Sequence, residues 1–251
     1  MPNFWARQVK LNANRETKVD KTIGKLRAGE HVTIVALGDS NTELTFHTQG
    51  RLNWCGLLGE AIFETYGNGT CTLVNAGKCG STVRESLTRL DRDALRFSPD
   101  LVILALGMND AGGGLARLET FRTEVREIIG RIRQQGAEVL VRTPNPIVVV
   151  NGLPPPPEQA RPGRAWESAA RPVKAYAEAL VAVAGEAGCP VVDHYRLWTE
   201  RAYTAVRPVA DPNGLWPRMS DAIHPGYLGH LAFFRELAPL FGVSSRFPWE
   251  E

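Results

Sequence analysis

The chain has 251 residues, 43% of them hydrophobic, and a formal net charge of +2. This is enough to bury one full core, so a single domain over residues 1–251 is expected, with residues 1–30 as an N-terminal extension wrapping it. Acids and bases are interspersed without a basic stripe, and no apolar run is long enough to span a bilayer or form a signal-peptide core, so nucleic-acid and membrane partners are not expected and a cytoplasmic location is.

Residues 1–30 are polar, with Phe4 and Trp5 as their large apolar pair, and carry no readable motif. Val32 to Gly38 is a short apolar run rich in Val and Ile and closed by glycine, which suits a strand buried on both faces. It opens onto Asp39 and Ser40, which on their own read as a helix cap as readily as a reactive site. From Leu52 to Tyr66, the residues Trp54, Leu57, Leu58, Ala61 and Ile62 share one helical face, and Gly67 is a suitable C-cap. Cys71 to Asn75 reads as a second strand, entering the turn Gly77-Lys78-Cys79-Gly80-Ser81-Thr82, with a helix carrying Val83, Leu87 and Leu90 behind it. Asp100 to Leu106 is the clearest buried strand and ends in Gly107-Met108-Asn109-Asp110, followed by Gly112 to Gly114. Phe121, Val125, Ile128, Ile129 and Ile132 mark a long amphipathic helix stopped by Gly136, and Ala137 to Val141 a fourth strand. Residues 143–164 hold too many prolines for helix or inner strand, and are expected as a lid, a binding loop or a surface excursion. Val173, Tyr176, Leu180 and Val183 mark another helix and Cys189 to Val192 a fifth strand. A short helix after residue 200, a Pro-rich loop from Arg207 to Ser220 and a helix from about Pro225 to Phe241 complete the chain.

Strands separated by helices, with no hairpin signal, imply parallel βαβ units with right-handed crossovers. The expected fold is a three-layer α/β/α sandwich around a five-stranded parallel sheet, flavodoxin-like. In such a sheet Ser40, Gly80 and Asn109 follow the carboxyl ends of successive strands and so share one edge. Near the C-terminus, Asp221-Ala222-Ile223-His224-Pro225 places a carboxylate and an imidazole three residues apart, with Pro225 suited to begin the last helix. An imidazole oriented by a carboxylate activates a serine hydroxyl at neutral pH, although a capping Asp beside a surface His gives the same spelling.

Taken together, Gly-Asp-Ser after the first strand, Gly-x-x-Gly after the second, Gly-x-Asn-Asp after the third and Asp-x-x-His-Pro near the end resemble the four blocks of the SGNH hydrolases, the GDSL esterase family. The resemblance covers about residues 32 to 230. It implies Ser40 as nucleophile, Gly80 and Asn109 completing an oxyanion hole with the Ser40 amide, His224 as general base and Asp221 as its support. Asn41 stands where the family's name records leucine, a position that does not react. A glycine amide and an asparagine side chain are suitable donors for an oxyanion, because one lacks a Cβ and the other donates without charge.

The Gly-x-Ser-x-Gly elbow, the phosphate loop and the His-Glu-x-x-His zinc motif are missing, so no cofactor or metal is expected. Cys55, Cys71, Cys79 and Cys189 contain no Cys-x-x-Cys pair and are expected as reduced thiols without function. Of the other histidines, His194 is expected to be structural, and His31, His47 and His230 have no carboxylate at comparable spacing. Trp216 is expected as a loop anchor or pocket wall. The expected activity is a serine esterase acting on small carboxylic esters, O-acetyl groups on sugars or simple alcohols foremost. Acyl transfer to an alcohol acceptor, or a non-catalytic ligand-binding domain of the same fold, are the alternatives.

Overall fold

A computed structural model of the chain describes residues 19–147, 171–200, 218–221 and 223–247. Its sheet is built from β1 (Val32–Gly38), β2 (Cys71–Gly77), β3 (Leu101–Ala105), β4 (Glu138–Arg142) and β5 (Val191–Val192). All neighbouring pairs are parallel, in the order β2-β1-β3-β4-β5. That is the flavodoxin-like order expected, and its direction reverses between β1 and β3, where open α/β sheets hold their ligands.

The strand period of two sorts the apolar side chains between two faces. Val32, Ile34 and Ala36 of β1 and Leu101 and Ile103 of β3 enter one core, whereas Val35, Leu37, Val102 and Leu104 enter the other. The first core is covered by α1 (Asp20–Arg27), α3 (Trp54–Tyr66) and α8 (Tyr227–Phe241), with Trp54, Phe233, Phe234 and Phe241 fully buried in it. The second is covered by α4 (Val83–Asp93), α5 (Leu118–Gln134) and α6 (Val173–Glu186). Two further short helices, α2 (Ser40–Glu43) and α7 (His194–Glu200), directly follow β1 and β5.

Helix α3 has the apolar face read from sequence, an Asn53 cap that accepts from the Cys55 and Gly56 N–H groups, and Gly67 at its end with φ +95°. Helix α4 starts with a capping box between Thr82 and Glu85. Several expectations need correction. Residues 20–27, expected as part of an N-terminal extension without a readable motif, form α1, whose Thr22 donates its backbone and hydroxyl hydrogens to Glu138 at 2.8 and 2.7 Å. Strand β2 runs on to Gly77, which pairs with Gly38, so the turn begins only at Lys78. Pro225 does not open the last helix; it bridges to Met219, and α8 starts after Gly226. Phe4, Trp5, the prolines from residue 154 onward in the long loop, the helix expected after residue 200 and Trp216 lie outside the described residues. Among the described residues, no helix is long and apolar enough to cross a membrane.

Candidate active site

Strand β1 turns sharply into α2, and two glycines make room for the turn. A Cβ on Gly38 would overlap the Thr42 side chain, and one on Gly77 would overlap the Glu43 backbone, so the four-residue helix sits directly on the ends of β1 and β2. Asp39 caps α2 by accepting the Asn41 N–H at 2.9 Å, which makes it the helix cap that the sequence allowed while Ser40 takes the first helical position. So short a helix cannot satisfy its own carbonyls. Trp54 Nε1 donates to Asn41 O at 3.1 Å, and the Asn53 and Asn75 amides both donate to Thr42 O at 2.7 Å. Beneath it, the buried Arg89 donates to Ala76 O at 2.8 Å and Gly38 O at 2.9 Å, tying together the carboxyl ends of β2 and β1.

Ser40 is 7% exposed, and its hydroxyl lies 3.0 Å from His224 Nε2, across 184 residues of chain. His224 Nδ1 lies 2.8 Å from Asp221 Oδ2. The other Asp221 oxygen accepts the N–H groups of Ile223 and His224 at 2.8 and 2.7 Å, so the carboxylate is fixed by its own turn. Burial alone would push the Asp221 carboxyl up. The His224 hydrogen bond and charge and the two backbone donors outweigh it and hold it at about 2. An ionised Asp221 can only accept, so Nδ1 carries the imidazole proton and Nε2 is left to accept from the Ser40 hydroxyl.

The turn carrying this pair is joined to α2 through a residue that sequence reading left unassigned. Asn41 Nδ2 donates to Asn145 Oδ1 at 3.2 Å, and Asn145 Nδ2 donates to Ile223 O at 2.9 Å. Asn145 is fully buried just beyond β4. Its position at the end of a strand, on the same edge as Ser40 and Asn109, was the available signal, hidden between two prolines.

Gly80 and Asn109 stand at the two other strand ends. Gly80 has φ +76°, and an added Cβ there would meet no atom of the described residues within 4 Å. The left-handed backbone therefore calls for glycine at this turn. Asn109 Nδ2 donates to Ser81 O at 3.1 Å, which ties the β3 turn to the β2 turn and leaves the second amide hydrogen for another acceptor. The Ser40 and Gly80 N–H groups donate to no other described residue. A cavity of about 110 Å³ adjoins Asn109, lined by Thr82, Asp110, Arg117 and Tyr176 among others.

The remaining histidines divide. His194 is fully buried and bonds Glu236 at 2.6 Å, His230 accepts the Trp54 N–H at 3.3 Å, and His31 bonds Thr72 at the surface. His47, set aside on spacing, lies on the face of His224, with ring centroids 4.1 Å apart and planes within 6°. No local pattern reports it, because its partners are some 170 residues away. His47, Asp221 and His224 offer ligand atoms within 4.8 Å of one another. In stacked rings, however, the nitrogen lone pairs lie in parallel planes and do not converge, so one ring would have to turn before this trio held a metal.

A sequence profile described as the GDSL-like Lipase/Acylhydrolase family matches residues 36–232. A search of curated protein sequences finds no match. Among solved structures, the fold is similar to the acetylxylan esterase Axe2 from Geobacillus stearothermophilus, at 19% identity, 86% of this chain, 97% of that one and a TM-score of 0.63. It is also similar to the acetyl xylan esterase AlAXEase at 19% identity, 82% and 98% coverage and a TM-score of 0.64. An alpha/beta hydrolase enzyme from the metagenome of Lake Arreo, Spain, matches at 21% identity, 84% and 95% coverage and a TM-score of 0.62.

Proposed function

We propose that this chain, which belongs to the GDSL-like lipase/acylhydrolase family and is a carboxylic ester hydrolase, removes small O-acyl groups, acetyl foremost, through an acyl-enzyme on Ser40. The observation that carries the reading is the continuous relay from Ser40 Oγ through His224 to Asp221, at 3.0 and 2.8 Å. Ser40 Oγ attacks the ester carbonyl carbon as its proton passes to His224 Nε2, and Asp221 stabilises the imidazolium. The oxyanion faces the Ser40 and Gly80 N–H groups and the free hydrogen of the Asn109 amide. Collapse breaks the bond to the alcohol, which leaves with the proton from His224. Water then attacks the acyl-enzyme with His224 again as base, and the proton returns to Ser40 as the acid departs.

The preference for acetyl is supported by the named activity of the acetylxylan esterases with which the chain shares its fold. A series of nitrophenyl esters of increasing acyl length, with an acetylated xylo-oligosaccharide beside them, tests it. The expected result is kcat/KM highest for acetyl, with acetate released from the sugar. A maximum at octanoyl would reject the acetyl preference, and no turnover of any ester would reject the esterase reading.

A further inference from the structure

We propose that His47 is a positioning residue for His224, holding the plane of its ring and facing the imidazolium with a neutral aromatic surface; this rests on the reading of Ser40 and His224 as nucleophile and base. The hydrogen bonds at Nδ1 and Nε2, two nitrogens separated by one ring carbon, act in the plane of the His224 ring. Swinging of the ring out of that plane is the motion they restrain least. His47 covers one face of the ring at 4.1 Å and 6° from parallel, which is the contact that opposes such a swing.

The loop carrying His47 is built to keep it there. The single Thr48 hydroxyl hydrogen is shared between Thr45 O and Arg51 O, at 2.9 and 2.6 Å, and Gln49 and Gly50 take φ values of +56° and +77° to close the turn. His47 Nδ1 bonds Ser220 Oγ at 3.0 Å, and the Ser220 N–H donates to His224 O at 2.8 Å, so both rings are tied to the same short turn. Burial of His47, and then the neighbouring His224 charge, lower its pKa against the pull of Asp221, keeping it uncharged at neutral pH. When Ser40 gives up its proton, the new charge on His224 therefore meets an aromatic face and not a second cation.

The test uses His47→Ala, His47→Phe and His47→Leu, each measured for nitrophenyl acetate turnover, for the rate of labelling by a fluorophosphonate probe and for Tm. Loss of the flat surface should lower kcat and the labelling rate about tenfold in His47→Ala and His47→Leu, with KM within about twofold. His47→Phe keeps the ring without the Ser220 bond and should recover to within about threefold of the parent. Equal activity in His47→Phe and His47→Leu would overturn the proposal, as would an unchanged labelling rate in all three. So would losses that follow Tm alone, which would make His47 only a loop anchor. If His47→Ala does not fold, the Phe and Leu pair still decides. Ser40→Ala and His224→Ala serve as controls: turnover or labelling surviving in them rejects the underlying catalytic reading, whereas their silence beside unaffected His47 variants rejects only the positioning role.

Discussion

At Asn109 the side-chain amide divides between architecture and chemistry. One hydrogen is held by Ser81 O at 3.1 Å, and the other is free to meet an oxyanion that exists only after attack. Asn109→Ala should therefore cost about 1 kcal/mol of stability from the lost Ser81 bond. It should also lower kcat by about 10² to 10³ with little change in KM. Kinetics and Tm on one preparation check this, and a full stability loss with kcat intact would make Asn109 a turn residue. Its neighbour Asp110 has a different problem. The Val83 N–H satisfies one oxygen at 2.9 Å, while the other is buried without a partner among the described residues. Burial pushes its pKa up to about 7, against the Val83 and Asp110 backbone donors and aided by the charges of Asp39 and Glu124. A carboxyl raised in the folded state contributes stability below its unfolded value near 4, and that contribution is lost as pH rises through 7. Asp110→Asn should thus raise Tm at pH 8, with the gain shrinking toward pH 5. The same difference in Tm at both pH values would contradict it.

The element on which the site depends is α2, four residues seated on two glycines. In Gly77→Ala the new methyl would meet the Glu43 backbone, which has nowhere to yield without lifting the helix, whereas in Gly80→Ala it would enter open space and bear only the left-handed backbone. The expected costs are about 1–3 kcal/mol for Gly77→Ala from overpacking and about 1–2 kcal/mol for Gly80→Ala from backbone strain. Gly77→Ala should also slow acylation, because Ser40 rides on the displaced helix. Chemical denaturation and probe-labelling rates on both variants separate the two effects. The elements that could be read from sequence were those with a continuous apolar run, such as β1 and β3, or with apolar residues at a helical period, such as α3 and α5. Helix α1 escaped because its sequence is mostly polar and its attachment to Glu138 is a contact across more than a hundred residues. Ser40, Asn109 and the Asp221–His224 turn were legible because topology and a local turn bring them to one edge. Asn145 and His47 were not, because their roles come from pairing with residues far along the chain.

Across the whole molecule, the order β2-β1-β3-β4-β5 places three loops around one crevice, and the first core fastens the helices behind it. That core contains Arg142, fully buried, with its guanidinium 4.0 Å from the Phe233 ring and 5.0 Å from Trp54. It also contains two neutral histidines. Burial lowers the pKa of His194 despite its Glu236 bond. Burial, followed by the charges of Arg142, His47 and His224, lowers that of His230 to about 3. The unfolded chain accepts protons on these rings near pH 6.5 while the folded one refuses them, so stability should fall as pH drops from about 6.5 toward 3. Each ring contributes a slope of up to about 1.4 kcal/mol per pH unit, partly offset by Asp110. Urea midpoints between pH 7.5 and 4.5 check this. They should fall with pH, and fall more steeply in Asp110→Asn; a midpoint that rises on acidification would contradict the assignment of neutral rings.

The catalytic role of Ser40 is the claim on which the rest depends, and peptide mass spectrometry after fluorophosphonate treatment tests it most directly. The expected result is a single adduct on the peptide containing Ser40, absent from Ser40→Ala, with ester turnover in that folded variant reduced by about 10⁴ or more. An adduct on another residue, or a folded Ser40→Ala protein with activity within about tenfold of the parent, would contradict it.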